Sequence, residues 1–380
     1  MKARRLRSLL PLPAQWAPCL IVAAVALPWA AALQAAETPA NALLVLEKAQ
    51  DTLVIVDPES LQIVARVPAG NDPHEVAVSD DGRTAYISNY GGGPSGYNTI
   101  SVVDLVAQKP LPPIDLGALR APHGLEFLSG KLYFTAEAAK VAGRYDPATQ
   151  KIDWVIGTGQ NRTHMVVVAK DLKTVFTSNV SSATISAIEQ MPPQAGRGPG
   201  PGGPPPGGPP PGGRGPGGPP PGGRGPGGRG APDWNITNIP VGHGSEGFDL
   251  TPDGKELWVA NAQDHTISII DVAAKKVVDT IPSTGNANRL KVTLDGKYVF
   301  VSDMTSNELL VINAATRKEF TRIALAGHSE GLLMRPDGKR AYTTLNERDS
   351  VAVIDLSTMT AIDEVKTGRG PDGLAWAARR

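Results

Sequence analysis

The stretch Ser245-Glu246-Gly247-Phe248-Asp249-Leu250-Thr251-Pro252-Asp253-Gly254-Lys255 decides how this chain is read. A polar residue, Glu246, opens a short alternating apolar run, and the run ends in Asp-Gly-Lys. The same pattern returns at 288–297, ending in Asp295-Gly296-Lys297, and at 329–339, ending in Asp337-Gly338-Lys339. Glu246, Asn288, Glu330 and Asp372 lie 42 residues apart, which marks them as one anchor position in an internal repeat. Upstream, the same position falls on His74, His123 and His164. The gap of 82 residues from His164 to Glu246 is one repeat plus about the length of a Pro/Gly/Arg-rich segment, 192–232.

Each unit reads as four short strands. The first follows the anchor, and an Asp-Gly pair then closes a tight hairpin. The second strand ends in Asn or Asp, as in Tyr86-Ile87-Ser88-Asn89 and Trp258-Val259-Ala260-Asn261. An alternating third strand and a fourth ending near Gly complete the unit. Four strands per roughly 42 residues is the arithmetic of a propeller blade. Six whole units start at the anchors from His74 to Glu330. A seventh is split: 373–377 supplies an inner strand, and 43–46, 52–57 and 62–68 supply the outer three. The fold class predicted is therefore all-β. It is a seven-bladed β-propeller of four-stranded antiparallel blades over 41–380, closed by pairing the C-terminal inner strand with the N-terminal outer strands. Such closure removes the open sheet edges of a linear array.

The second-strand motif resembles the signature Tyr-Val-Thr-Asn of the YVTN propeller family, of which YncE-like proteins are an exported branch. It stands here as Tyr86-Ile87-Ser88-Asn89, Phe176-Thr177-Ser178-Asn179 and Trp258-Val259-Ala260-Asn261, and in weaker form as Phe300-Val301-Ser302-Asp303 and Tyr342-Thr343-Thr344-Leu345. The resemblance implies the fold. Its more distant seven-bladed relatives include lactonases and a metal-dependent lyase, so it does not choose a chemistry.

The N-terminus reads as a signal peptide, 1–36: Lys2, Arg4, Arg5 and Arg7, an apolar run over 19–33, then small residues around Ala35 and Ala36. A periplasmic or secreted location is expected, with no integral membrane segment after cleavage. Cys19 is the only cysteine. The mature chain then lacks disulfides, thiolate metal sites and c-type haem attachment. Without 1–36 and 192–232, the body carries 29 basic against 37 acidic residues. That balance argues against nucleic acid as a partner. A monomer is expected.

In a four-stranded blade, the start of the inner strand and the end of the second strand share one face. The anchors His74, His123, His164, Glu246, Asn288, Glu330 and Asp372 should therefore ring the central channel. A second ring is formed by Glu47, Asn89, Glu137, Asn179, Asn261, Asp303 and Leu345. Two readings follow. In the first, the chain is a binding or scaffold propeller that recognises a small molecule, peptide or protein partner on this face. Glu246, Asn288, Glu330 and Asp372 would hold the ligand, and Arg289 would clamp a carboxylate or phosphate. In the alternative, His74, His123 and His164 hold one divalent transition metal in a hydrolase or lyase, with Glu246 or Glu330 as general base. No nucleophile elbow, phosphate loop or His-Glu-x-x-His helix is present. The signature asparagines are expected to bond nearby backbone, and Asp57, Asp104, Asp271 and Asp355 to form turns on the opposite face. Segment 192–232 cannot bury apolar surface and reads as a disordered insert between the third and fourth strands of its blade. The extension over 90–98 lies on the anchor face and brings Tyr90 and Tyr97 as candidate covers.

Overall fold

The computed structural model describes residues 37–91, 96–192, 233–283 and 285–380. The signal-peptide reading over 1–36 and all but the first residue of the 192–232 insert lie outside these. Twenty-eight strands form seven four-stranded antiparallel sheets. We number the blades from the one carrying His74. The inner strands are Pro73–Val78, Pro122–Leu128, Thr163–Val168, Ser245–Leu250, Ala287–Val292, Leu332–Met334 and Pro371–Ala378. In blade 7 the inner strand Pro371–Ala378 pairs with Asn41–Glu47, and Thr52–Val56 and Ile63–Pro68 follow outward. Among the described residues no helix is long and apolar enough to cross a membrane.

The alternating pattern places successive side chains on opposite faces of each sheet. Both faces are buried, because each packs on a neighbouring blade. In Asn41–Glu47, Leu44 and Leu46 enter the core shared with blade 1, while Leu43 and Val45 enter the core shared with blade 6. The apolar clusters at the other junctions repeat this arrangement, with Trp258 and Val301 between blades 4 and 5 and Phe134 and Ile100 between blades 1 and 2.

The Asp-Gly-Lys turns have a local cause. Gly82, Gly254, Gly296 and Gly338 sit in the left-handed region, with φ of 70°, 73°, 72° and 69°. The preceding aspartate accepts from the backbone N–H two residues on, as Asp253 does from Lys255 at 3.1 Å and Asp295 from Lys297 at 3.0 Å. Asp57, Asp104, Asp271 and Asp355 accept backbone N–H groups in the same way and form turns, as their sequence position predicts.

Two details position the anchors. In the register between inner and second strands, Ser245 faces Asn261 but Phe248 faces Val259. Glu246 and Gly247 thus oppose the single residue Ala260, which is a β-bulge at the anchor. Equivalent shifts fall at the anchors of blades 1, 2, 3 and 5. A bulge re-aims its side chains and leaves an N–H without a ladder partner. That N–H is taken by the Ser or Thr at the third signature position: Glu75 N by Ser88 at 3.0 Å, Gly124 N by Thr135 at 2.9 Å and Arg289 N by Ser302 at 2.9 Å. The same hydroxyls donate onward to the next blade. Thr135 reaches the His164 carbonyl at 2.5 Å, Ser178 that of Glu246 at 2.8 Å, and Ser302 that of Glu330 at 2.7 Å. The third signature residue is therefore a clip between blades.

Candidate functional site

The bulges gather the anchors at one mouth of the channel, and the ring is continuous. The imidazoles of His74 and His123 lie 5.2 Å apart, and those of His123 and His164 stack at 3.8 Å. His164 Nε2 is 2.8 Å from Glu246 Oε2. Asn288 Oδ1 accepts from Arg289 at 3.2 Å. Lys48 lies 3.8 Å from Glu330 and 2.9 Å from Asp372, and Asp372 lies 3.6 Å from His74 Nδ1. Every anchor named from the sequence thus takes part in one cluster.

Four further members, Tyr90, Arg162, Glu75 and Lys48, belong to neither ring of the repeat, and Glu137 joins them from the second ring. Tyr90 packs edge-on against His123 at 4.9 Å and donates to Glu137 at 2.5 Å. Glu137 also holds His164 Nδ1 at 2.5 Å. Arg162 sits above, 3.6 Å from Glu137 and 3.5 Å from Glu246, with 41% of its side chain exposed. Glu75 crosses the axis to Arg289 at 2.8 Å, and Lys48 comes from the first connection of blade 7. Tyr97 is 44% exposed and does not join the histidines.

Of the second ring, only Glu137 enters the cluster. Asn89, Asn179 and Asn261 donate to hydroxyls of the third strand, Thr99 and Ser101, Thr184 and Ser186, and Thr266 and Ser268. They tie the second strand to the third rather than to a ligand. Asp303 accepts from Asn286 N and Thr305 N. Glu47 is wholly buried, with Arg66 at 3.4 Å.

The electrostatics differ from one histidine to the next. Burial pulls His164 down, yet the Glu246 and Glu137 carboxylates outweigh it and raise its pKa above the ordinary value. His123 falls well below it, through burial and then the neighbouring His164 and His74 charges. Burial also lowers His74, against the pull of Asp372. Burial pushes Glu246 up, but His164, Arg289 and Arg162 prevail and hold it at about 2. Burial and the adjacent Asp372 raise Glu330. Two carboxylates flank the His164 imidazole, although its Nε2 approaches Glu246 outside hydrogen-bond geometry, and beside it the His123 Nδ1 has no hydrogen-bond partner among the described residues.

Three histidines do converge, but both nitrogens of His164 face carboxylates and its ring is stacked on His123. A ligating nitrogen must instead point its lone pair at a shared centre about 2 Å away. Among the described residues no group of three or more His, Cys, Asp or Glu has the geometry to hold a metal ion.

A depressed carboxylate contributes stability that is present above its unfolded pKa and is lost as pH falls through its folded value. For Glu246 that window runs from about 4.5 down to about 2. Thermal midpoints measured across it should fall steeply for the native chain. Glu246→Gln should flatten the slope while lowering stability at pH 6. An unchanged slope would mean that the His164–Glu246 pair does not form.

Residues 232–335 match the family model of the YNCE-like beta-propeller. That match spans about a quarter of the chain; the fold of the described residues is a seven-bladed propeller. Among curated proteins none matches it in sequence. Similar solved structures include a protein of unknown function from Desulfotomaculum acetoxidans, with 11% identity, TM-score 0.68, and 90% of this chain and 100% of that one covered. Another is a putative 6-phosphogluconolactonase from Bacteroides uniformis, with 12% identity, TM-score 0.62, and 88% and 99% covered. A third is the dihydro-heme d1 dehydrogenase NirN in complex with DHE, with 16% identity and TM-score 0.57; the match covers 86% of this chain and 63% of that one. At these identities the likeness is one of fold.

Proposed function

We propose that this chain is an exported, periplasmic binding propeller whose anchor face recognises a partner bearing an anionic group. The observation that carries this is the charge layering at the mouth. The acids Glu137 and Asp372 are buried, Glu246 is partly buried, and all three are already engaged. The cations above them, Arg162 and Lys48, keep 41% and 27% of their side chains exposed. Arg162 is shared loosely among Glu246 at 3.5 Å, Glu137 at 3.6 Å and the Tyr90 hydroxyl, and the exposed part of its guanidinium can meet a carboxylate or phosphate. His74 and Tyr90 floor the space between them.

Export predicts that the mature chain isolated from the periplasm starts near residue 37. For recognition, a photo-crosslinking residue at position 162 should trap one discrete small molecule, peptide or protein in cells. The same probe at position 255, on the opposite face, should not. Lys48→Ala should diminish the adduct. Equal labelling at 162 and 255, or no adduct at 162, would overturn the reading.

A further inference from the structure

Below the Arg289–Glu75 pair, the axis of the propeller is occupied by a cavity of about 400 Å³, a size typical of small-molecule sites. It runs from that pair to Pro336, beside the Asp-Gly turn of blade 6, so it belongs to the face opposite the anchors. Its walls are unlike one another. Leu333, Leu374 and Trp376 make one side apolar, and Phe127 and Phe248 add ring surface. The other side carries Glu126 on blade 2, Asp249 on blade 4 and Lys291 on blade 5.

The charges in this cavity do not cancel. Glu75 is matched by Arg289 at 2.8 Å, Asp249 by Lys291 at 3.4 Å, and Asp372 by Lys48 at 2.9 Å. Glu126 alone has no ion pair among the described residues. Its Oε2 accepts from Val168 N at 2.6 Å, which is a structural task shared with Asp249, whose Oδ2 accepts from Val292 N at 2.9 Å. Its Oε1 has no such task. Burial pushes the Glu126 carboxyl up to about 7, with the neighbouring Asp249 adding to the rise and Lys291 opposing it. An unmatched carboxylate facing an aromatic-lined pocket suits one kind of guest.

We infer that this lower channel is a binding site for a small protonated amine with an apolar or aromatic body. The ammonium pairs with Glu126 Oε1, and the body lies against Phe127, Phe248 and Trp376. Arg289, Glu75 and Asp372 border both this cavity and the anchor cluster, but Glu126, Phe127 and Trp376 belong to the cavity alone, so the Glu126 test and the crosslink at position 162 fail independently.

The test is calorimetric titration of the mature protein with phenethylamine, using 3-phenylpropionate as the isosteric anion. Phenethylamine should bind and 3-phenylpropionate should not. Near pH 7 binding should release a proton, because the arriving cation favours ionised Glu126. Asp249, Lys291, Glu75, Arg289 and Asp372 are the other charged groups around the cavity. The heat should therefore depend on the buffer at pH 7 and not at pH 9. Glu126→Gln keeps an acceptor for Val168 N and should weaken phenethylamine at least tenfold. Lys291→Met removes a competing cation and should strengthen it several-fold, a direction that mere loss of structure cannot produce. Absence of binding at millimolar phenethylamine, equal binding of the anion, or indifference to both substitutions would overturn the inference.

Discussion

Replacing Arg289 with Met should cost about 3–5 kcal/mol of folding stability, the range for removing one partner of a buried ion pair. Arg289 is the charge that lets Glu75 and Glu246 sit near the axis, at 2.8 and 4.0 Å. Its side chain is only 14% exposed, so water cannot take over the role. The substitution keeps an unbranched apolar stem and removes the guanidinium with its charge and donors. Equilibrium unfolding in urea should show the loss as a lower midpoint with an unchanged slope. The double variant with Glu75→Gln should recover much of it, because the penalty comes from the carboxylate left behind. A loss under 1 kcal/mol would mean the pair is hydrated and that the channel is wetter than the geometry indicates.

Gly247→Ala should cost about 2–3 kcal/mol, as overpacking against backbone does. The inner strands converge on the axis, and at Gly247 a Cβ would come within 2.7 Å of the Asn288 carbonyl oxygen and 2.8 Å of Arg289 Cα. Both neighbours are main chain of the next blade and cannot rotate away. Gly124, Gly331 and Gly373 occupy the same position in their blades and meet the same obstacle. The comparison is Gly157→Ala at an outer strand end, where nothing lies within 4 Å of the added carbon, and it should change stability by less than about 0.5 kcal/mol. Similar losses for the two would mean that blade spacing adjusts freely at the axis.

The architecture was legible because it is periodic. A spacing of 42 residues and a turn with a fixed chemistry, Asp-Gly-Lys, recur whatever surrounds them. The anchors were legible for the same reason, and all seven meet where equivalent positions of a closed ring must. Their partners were not. Arg289 was named as a clamp for a ligand, but its partner Glu75, 214 residues away at the same repeat position, was not, because that position is Gly in four of the seven blades. Glu137 was visible only as one of three acids, with Glu47 and Asp303, in a column whose asparagines proved structural, and the register places Ala136 rather than Glu137 opposite Pro122, where Asn89 lies opposite Pro73. Arg162 and Lys48 sit in connections whose lengths vary from blade to blade. The role of the third signature residue was hidden too. Ser88, Thr135, Ser178, Ser302 and Thr344 look like ordinary strand residues until the bulge leaves an N–H for each to fill. The histidines were legible as neighbours: their spacing suggested a shared metal, and the structure does bring the three rings together, with His123 and His164 3.8 Å apart and both His164 nitrogens beside carboxylates.

The Arg289–Glu75 bar gives the molecule the plan of two cups set base to base rather than a tunnel. The bar stands between the anchor cluster and the lower cavity, so each rim is free to specialise for a different visitor. The only material the cups share is their common floor, and a visitor that tugs on Arg289 from one side alters the footing of whatever rests on the other.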